Sequence, residues 1–383
     1  MVALSGGHFA VDFASGSVPA LIPYFTHRFH LSYALAAMLL LAATLSSSVV
    51  QPLFGLWSDR RGALWLIPGG TALAAVGVGF AAVSPVYPLV LVLVLVGGLG
   101  VAAFHPEGAK FAAYASGHRR ASGMSYFNIG GNTGYAVGAF TIAVFVHWLG
   151  LGGGLLAMVP VLVVSFALLR QLPSLAELRP EHGVAVAHEG DDRRDAMALL
   201  GGIIALRSVA WFTLLAFVPL WFVSLGHSKF DASLLLFLML LAGAAGTLLL
   251  GPVADRIGLR RTLTLTQIAM PPLILAFVYV GGVGGTIALM LAAMCVVGTF
   301  GVTMVLSQLY LPRHVGMASG LSIGLAMGIG GVAAVALGAV ADAIDLQTAL
   351  TISACAPALG VVLCFLLPAP ATRARLAVEP VAP

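Results

Sequence analysis

Charged residues are scarce in this sequence. Only 8% of its 383 residues are Asp, Glu, Lys or Arg, and 60% are hydrophobic, whereas a soluble domain carries about 25% charged residues. Apolar runs recur along nearly the whole chain, and a run of about 18 residues or more can cross a hydrocarbon layer of about 30 Å. The composition therefore excludes an ordinary soluble domain and predicts an all-α polytopic membrane protein.

Two further absences narrow the class. The apolar runs show no alternation of apolar and polar residues, which excludes a transmembrane β-barrel. The three cysteines, Cys295, Cys355 and Cys364, are odd in number and fall within apolar runs, so no disulfide framework is expected. The net charge of +4 comes from basic residues in short loops. We therefore expect no nucleic-acid partner, and the sequence predicts no cofactor and no metal site.

One long polar segment divides the apolar runs into two sets. The predicted spans are residues 4–26, 33–57, 64–84, 87–112, 121–147, 152–170, 198–224, 231–254, 262–281, 284–308, 316–341 and 348–367. The segment between the sets is rich in charge and typical of a solvated linker. The sequence thus predicts a six-helix bundle over residues 1–170, a cytoplasmic linker over 171–197, and a six-helix bundle with a short cytoplasmic tail over 198–383.

The basic residues predict the orientation of these spans. With a cytoplasmic N-terminus, the inner loops and tail hold all but three of the 18 Lys and Arg residues. The three others are Arg28 and Lys229 in outer loops and Arg207 within span seven. Because cytoplasmic loops carry the excess of Lys and Arg, we expect a multi-pass protein of the plasma (inner) membrane with both termini cytoplasmic. The first apolar run follows no basic segment and is interpreted as a retained helix.

The two halves of the chain are related in sequence. GLWSDRRG at residues 55–62 matches GPVADRIG at residues 251–258, at an offset of 196. ASGMS at residues 121–125 matches ASGLS at residues 318–322, at an offset of 197. Parallel six-span repeats joined by a linker are an architecture of secondary transporters, whose substrate site lies between the halves near the middle of the membrane.

These motifs resemble those of a known family. Twelve spans with G-x-x-x-D-R-x-G in both halves resemble the major facilitator superfamily. Motifs in spans one, four, five and seven are similar to those of the fosmidomycin-resistance exporters: His8-x-x-x-Asp12, Phe104-His105-Pro106-Glu107, Ala115-Ser116-Gly117, Gly130-Gly131-Asn132-x-Gly134 and Arg207-Ser208. Members of that group are drug exporters thought to exchange protons for substrate, so the resemblance implies an antiporter that confers antibiotic resistance by drug efflux.

Span one carries a carboxylate deep in the predicted membrane. His8 and Asp12 are four residues apart and share one helical face, and a rise of about 1.5 Å per residue places Asp12 about 13 Å from the cytoplasmic edge. A carboxylate at that depth is protonated, paired or in a water-filled cavity. We expect Asp12, with His8, to carry protons or to contact substrate. The alternative is a structural hydrogen-bond acceptor that ties span one to a neighbour.

Span seven carries a guanidinium at a corresponding depth. On the repeat offset Asp12 aligns with Ser208, so Arg207 lies at a similar depth in the opposite half. A guanidinium does not lose its proton in a protein, so it must meet an anion or water. We expect Arg207 to bind an acidic substrate group such as a carboxylate or phosphonate. The alternative is a structural ion pair with Asp12 or Glu107.

Span four adds two more ionisable groups around a proline. His105 and Glu107 are two residues apart and point about 200° apart on a straight helix, and Pro106 supplies a reason for distortion. We predict a proton relay or substrate gate here. The alternative for Glu107 is an ion pair with Lys110. His105 and Glu107 could also be metal ligands. With no third candidate nearby in the sequence, the pair is only a weak signal of a metal site.

The remaining predictions concern the cavity wall and the gates. In span five Asn128 and Asn132 share a face and are expected to contact substrate, while the glycines beside them favour close helix packing; Trp211 is a further cavity candidate. The matched loops between spans two and three and between spans eight and nine are predicted to gate the cytoplasmic side. Their gating residues are Gly55, Asp59, Arg60, Gly251, Asp255 and Arg256.

Together these features predict a secondary active transporter that works by alternating access. The main hypothesis is proton-coupled efflux of small toxic or anionic compounds, with the substrate, protons and the lipid bilayer as partners of a monomer. A proton-coupled importer of an organic acid or sugar is the alternative, since one fold permits both. A membrane-embedded enzyme using His105 and Glu107 is a remote alternative, because no nucleophile or full ligand set accompanies them.

Overall fold

The part of the chain that the structure, a computed structural model, describes is mostly helical. The described residues are 1–51, 53–55, 57, 63–116, 120–178 and 191–369. Within them the chain forms twelve long helices and no strand, as expected where lipid cannot satisfy backbone hydrogen bonds and each helix must do so internally. The predicted all-α, twelve-helix architecture is therefore confirmed.

Each predicted span coincides with one helix. The helices, numbered in chain order, are α1 (Val2–Phe29), α2 (Tyr33–Thr44), α3 (Leu66–Val83), α4 (Tyr87–Ser116), α5 (Arg120–Leu149), α6 (Gly153–Arg170), α7 (Arg194–Ser224), α8 (Lys229–Ile257), α9 (Leu259–Val280), α10 (Gly282–Tyr310), α11 (Val315–Ala343) and α12 (Leu346–Leu366). A π-helical turn, Leu45–Val49, extends α2. A short helix, Leu172–Ala176, follows α6.

The helices are long enough to span a membrane. Ten described segments meet that requirement by length and apolar composition, and one of them, Tyr126–Arg170, contains most of α5 and all of α6. Helix α1 is less apolar and lies outside that set, but its 28 residues extend about 42 Å, which exceeds a hydrocarbon layer of about 30 Å. The chain is therefore a multi-pass membrane protein.

The helices pack as two related bundles. In the first half α1 packs against α5, and α3 packs against α4 and α6. The second half repeats this arrangement, with α7 against α11 and α9 against α10 and α12. The halves meet mainly through α2 with α11 and through α5 with α8. Because α2 corresponds to α8 and α5 to α11 in the repeat, these two contacts are related by the pseudosymmetry.

The loops lie at two opposite ends of the bundle. Successive helices alternate in direction, so the start of α1, the end of α6, the start of α7 and the end of α12 share one end, which we call the linker end. The turns before α2, α4, α6, α8, α10 and α12 lie at the other end, which we call the far end. The positive-inside rule predicts that the linker end is cytoplasmic.

The start of α7 is anchored to the turn between α10 and α11. The backbone N–H of Arg193 donates to the carbonyl of Tyr310 (2.7 Å), and Asp191 pairs with Arg313 (2.6 Å). Partial burial opposes ionisation of Asp192, but hydrogen bonds from His314 and from the Arg313 N–H hold its pKa below the usual value. These contacts begin α7 at Arg194, four residues before the predicted start of the span.

Glycines allow α1 and α5 to touch backbone to backbone. A Cβ on Gly130, Gly134 or Gly138 would lie 2.4 Å, 2.1 Å or 2.0 Å from the nearest carbonyl oxygen of α1. No side chain fits at such distances, because real Cβ atoms are excluded below about 3.0 Å. Small residues at this spacing are a common means of close helix packing in membranes. The contact holds α1, and with it His8 and Asp12, directly against α5.

This contact yields a prediction for stability. Gly134→Ala should lower the free energy of unfolding by about 1–3 kcal/mol, because the added methyl forces α1 and α5 apart. Gly301→Ala is the matched control, since a Cβ there has no heavy atom within 4 Å. Thermal unfolding of the detergent-solubilised protein measures both. Equal melting temperatures for the two variants would contradict the packing described above.

Candidate functional site

Three ionisable side chains converge between α1 and α4. The carboxylate of Asp12 lies between two imidazoles: Oδ2 is 3.3 Å from Nε2 of His8, and Oδ1 is 3.5 Å from Nε2 of His105. His8 is one turn before Asp12 on α1, as the spacing predicted, and α4 contributes His105. We call this group the His8–Asp12–His105 cluster. Three of the residues predicted to handle protons thus meet in one place.

Backbone carbonyl groups orient both imidazoles so that Nε2 of each ring faces Asp12. Nδ1 of His8 lies 2.8 Å from the carbonyl oxygen of Phe127, and Nδ1 of His105 lies 2.9 Å from that of Val101. A carbonyl only accepts, so each Nδ1 carries the hydrogen. In the neutral tautomers both Nε2 lone pairs then face the carboxylate of Asp12. Three acceptors that face one another repel unless a proton or another cation lies among them.

Aromatic rings and a glycine enclose the cluster. His8 stacks on Phe127 at a centroid distance of 4.1 Å and lies 6.0 Å from Phe104. On the α5 side a Cβ at Gly131 would lie 2.4 Å from Nε2 of His8 and 2.7 Å from Oδ2 of Asp12, so glycine leaves the room these groups need. The side chain of His105 remains 25% exposed and that of Asp12 17% exposed. The cluster is therefore accessible to a small cation.

Glu107 lies apart from this cluster. Its carboxylate is fully buried, and Oε2 pairs with Nζ of Lys110 at 2.8 Å. Helix α4 continues through Pro106, so His105 and Glu107 keep the opposed directions expected on a straight helix. The pair with Lys110 is the structural arrangement that the sequence offered as an alternative. A role for Glu107 as relay or gate stays a prediction.

Arg207 is buried inside the second half, with 1% of its surface exposed. Its guanidinium donates to the hydroxyls of Thr299 (2.8 Å) and Thr303 (3.4 Å) on α10 and lies over the ring of Phe300, 4.5 Å from the centroid. Within the described part of the chain no carboxylate pairs with it, and its Nε–H has no partner. Neither Asp12 nor Glu107 forms the ion pair considered from the sequence.

The other predicted contact residues are spread over both halves. Asn128 is exposed on α5, next to the Phe127 that stacks on His8, and Asn132 is half-buried one turn further on. Trp211 is buried on α7, one turn after Arg207. Asn128 and Asn132 thus belong to the first half and Trp211 to the second, and their part in substrate binding stays a prediction.

The halves are joined at the far end. Both carboxylate oxygens of Asp342, at the end of α11, accept from the first turn of α2, from the N–H groups of Tyr33 (2.6 Å) and Ala34 (3.0 Å). The helices touch there, since a Cβ on Gly338 would lie 2.7 Å from Cα of Ala34. The other contact between the halves joins α5 and α8. Two ring pairs lie in it, Phe140 with Phe237 and His147 with Phe230.

A cavity of about 510 Å³ lies at the linker end, between α7 and α11. It is lined by Arg194, Met197, Gly201, Leu311, Met317 and Ile329 among others. It does not include the His8–Asp12–His105 cluster, and its lining residues all belong to the second half.

The gate residues predicted in the second half are accessible at this end. Asp255 and Arg256 are exposed, and no heavy atom lies within 4 Å of a Cβ placed on Gly251. Gly258 adopts φ +96°, which allows the sharp turn from α8 into α9. Gly55 is described, with a Cβ position 3.7 Å from Pro106, whereas Asp59 and Arg60 lie outside the described residues. Gating by these loops stays a prediction.

Two pseudosymmetric six-helix bundles, joined at one end and carrying buried ionisable groups in their spanning helices, define a secondary transporter. The chain belongs to the Major Facilitator Superfamily, whose family model matches residues 4–321. It is a transporter of small molecules and not an enzyme.

Comparison with known proteins agrees with this assignment. The chain is 31% identical to the uncharacterised MFS-type transporter YfnC of Bacillus subtilis (strain 168), over 94% of this chain and 90% of that protein. It is 29% identical to the fosmidomycin resistance protein of Escherichia coli (strain K12), over 95% of this chain and 91% of that protein. A crystal structure of a mutant of the nucleoside transporter NupG matches with a TM-score of 0.79 at 13% identity, covering 96% of this chain and 99% of that one.

Sequence reasoning missed three features of the site. The backbone carbonyls that orient the imidazoles carry no signal in the side-chain sequence. Gly131 could have been found, because it adjoins Gly130 but does not belong to the four-residue spacing of Gly130, Gly134 and Gly138. The bridge formed by Asp342 carries no sequence signal, because only the packing of α11 on α2 brings its carboxylate to the first turn of α2.

The bridge at the far end can be tested with a matched pair of variants. Asp342→Asn should favour conformations open at the far end, because the charge-assisted hydrogen bonds to the first turn of α2 are weakened. Asp345→Asn is the control, since Asp345 bonds only within its own helix start, to the N–H of Thr348 (2.6 Å).

The measurement is the distance between spin labels placed at the exposed positions His30 and Ile344, by double electron–electron resonance. We expect Asp342→Asn to add a population with a longer distance between the labels, and Asp345→Asn to leave the distance distribution unchanged. Identical distributions in both variants would show that Asp342 does not hold the far end closed.

Proposed function

We propose that this transporter is a proton-coupled antiporter that exports small anionic compounds, with fosmidomycin-like phosphonates as the substrate class. The observation that supports it most is the His8–Asp12–His105 cluster, in which two imidazole nitrogens and a carboxylate converge without a fixed cation. A site of this kind, partly accessible and inside a spanning helix pair, is suited to take up and release a proton.

The proposed cycle uses the two ends of the bundle in turn. With the far end closed and the linker end facing the cytoplasm, the cluster releases its proton and an anionic substrate enters between the halves. The halves then rock, the linker end closes through the loops that contain Gly55 and Gly251, and the far end opens. Substrate leaves there and the cluster is protonated again. Both termini are cytoplasmic in this scheme, and the membrane is the plasma (inner) membrane.

Arg207 provides the positive charge that selects for anions. It keeps one donor unused and has no carboxylate partner in the described residues, whereas a buried guanidinium is normally satisfied by an anion. The phosphonate class is supported by the printed name of one relative, the fosmidomycin resistance protein. In this proposal the transporter acts as a monomer in the lipid bilayer.

The direction of coupling can be tested in proteoliposomes. An acid interior should drive accumulation of radiolabelled fosmidomycin, because an antiporter exchanges protons moving out for substrate moving in. An importer of organic acids or sugars that moves protons and substrate together would instead need the acid outside. No fosmidomycin movement under either gradient, in protein that folds normally, would exclude the phosphonate class.

The proton site can be tested in the same vesicles. Asp12→Asn should keep substrate exchange across the membrane but lose its response to the pH gradient, because the amide cannot ionise. Asp231→Asn is the control, since Asp231 is exposed at the far end and bonds Ser228. Full coupling in Asp12→Asn would place the proton elsewhere.

The role of Arg207 can be separated from a structural one. Arg207→Ala should weaken binding of anionic substrates by about 10- to 100-fold, which corresponds to the 1.5–3 kcal/mol typical of hydrogen bonds to charged groups. Arg207→Lys, which retains the charge, should recover part of the loss. Binding is measured for fosmidomycin and for a neutral ester of it. Equal losses for the two ligands would indicate that Arg207 only supports the fold.

A further inference from the structure

We propose that His8, Asp12 and His105 also form a binding site for a divalent transition-metal ion, with Zn²⁺ as the ion that fits best. His105 has no third ligand nearby in the sequence, but the fold brings His8 and Asp12 of α1 to it. One ligand atom from each residue lies within 4.8 Å of the others. Two imidazole nitrogens and a carboxylate oxygen are the donor set of many zinc sites with an open position.

The distances between ligand atoms fit a shared metal ion. Zn²⁺ with bonds of about 2.0–2.1 Å in tetrahedral geometry holds neighbouring ligand atoms about 3.3 Å apart. In the cluster Oδ2 of Asp12 lies 3.3 Å from Nε2 of His8 and Oδ1 lies 3.5 Å from Nε2 of His105, so each imidazole is near one oxygen of the same carboxylate at about the spacing of two ligands of one ion. A direct hydrogen bond between an imidazolium and a carboxylate is shorter, about 2.7–2.9 Å. The observed spacing therefore leaves room for an ion between the groups.

The surroundings of the two imidazoles are those of metal ligands. A metal-bound histidine almost always donates its other ring N–H to a carbonyl or carboxylate, which presents the free nitrogen to the metal. Here the carbonyls of Phe127 and Val101 accept from Nδ1 of His8 and His105. The stack of His8 on Phe127 fixes the ring plane as well. Both Nε2 atoms are thus held toward Asp12 before any ion binds.

The fourth coordination position is open. The three protein ligands leave one position of a tetrahedron for water, and the partial exposure of Asp12 and His105 allows exchange with solvent. Imidazole ligands favour Zn²⁺, Cu²⁺ or Ni²⁺ over Mg²⁺ or Ca²⁺. The ion would occupy the space in which a proton is held in the exchange cycle, so the two exclude each other. The metal site rests on the geometry of the cluster and does not depend on the transport direction.

The test uses the purified full-length protein in detergent, without an affinity tag. Titration with Co²⁺ should produce the visible absorption bands of tetrahedral Co²⁺, and Zn²⁺ should remove them with a stoichiometry of one ion per chain. Asp12→Asn and His105→Gln should each weaken Zn²⁺ binding at least about tenfold, measured by calorimetry. His27→Gln, at an exposed position near the end of α1, should bind as the unmodified protein does.

A variant that keeps all three ligands sharpens the test. Gly131→Ala places a methyl group against Nε2 of His8 and Oδ2 of Asp12, so it should also weaken Zn²⁺ binding. Size-exclusion profiles and circular dichroism confirm that each variant is folded. Absence of the Co²⁺ bands in the unmodified protein, or equal Zn²⁺ affinity in Asp12→Asn, would overturn the proposal. Fosmidomycin transport with a chelator present reports on the proposed function separately.

Discussion

A charge inside a membrane-spanning bundle must be paired or neutralised, and this requirement organises the molecule. Asp12 on α1, Glu107 on α4 and Arg207 on α7 are three such charges, and their surroundings differ. Glu107 pairs with Lys110, and Arg207 lies against threonine hydroxyls and the ring of Phe300. Asp12 alone of these three faces groups that are neutral or positive depending on protonation. Its environment therefore changes when a cation arrives or leaves, which is what a coupled transporter needs.

The site depends on close helix packing some distance from the charges. The glycines of α5 let α1 approach until backbone touches backbone, and that approach places the carbonyl of Phe127 on His8. The same α5 contacts α8 across the interface between the halves, while α2 contacts α11. Movement of one half against the other therefore bears on the helix that orients His8. This link gives a physical route by which a bound cation and the closed end can influence each other.

Much of this could be predicted from residues alone. Hydropathy located all twelve helices, the repeats predicted two related halves, and the four-residue spacing placed His8 and Asp12 on one face. The meeting of His105 with Asp12 could not be predicted, because it depends on the rotation of α4 against α1, which apolar runs with little amphipathic pattern do not specify. From the sequence, Glu107 could act in a relay or gate or could pair with Lys110. Only the structure shows that the pair with Lys110 forms. The bridge from Asp342 to α2 joins residues more than 300 positions apart, beyond the reach of any local pattern.

The central claim is that the cluster around Asp12 exchanges a proton for substrate. Isothermal titration calorimetry of fosmidomycin binding, repeated in two buffers of different ionisation enthalpy, counts the protons exchanged with solvent. With metal excluded by a chelator, we expect release of about one proton per substrate bound near neutral pH, since linked ligands shift each other's affinity reciprocally. The Asp12→Asn protein should release none. Binding with the same heat in both buffers, in the unmodified protein, would contradict the account.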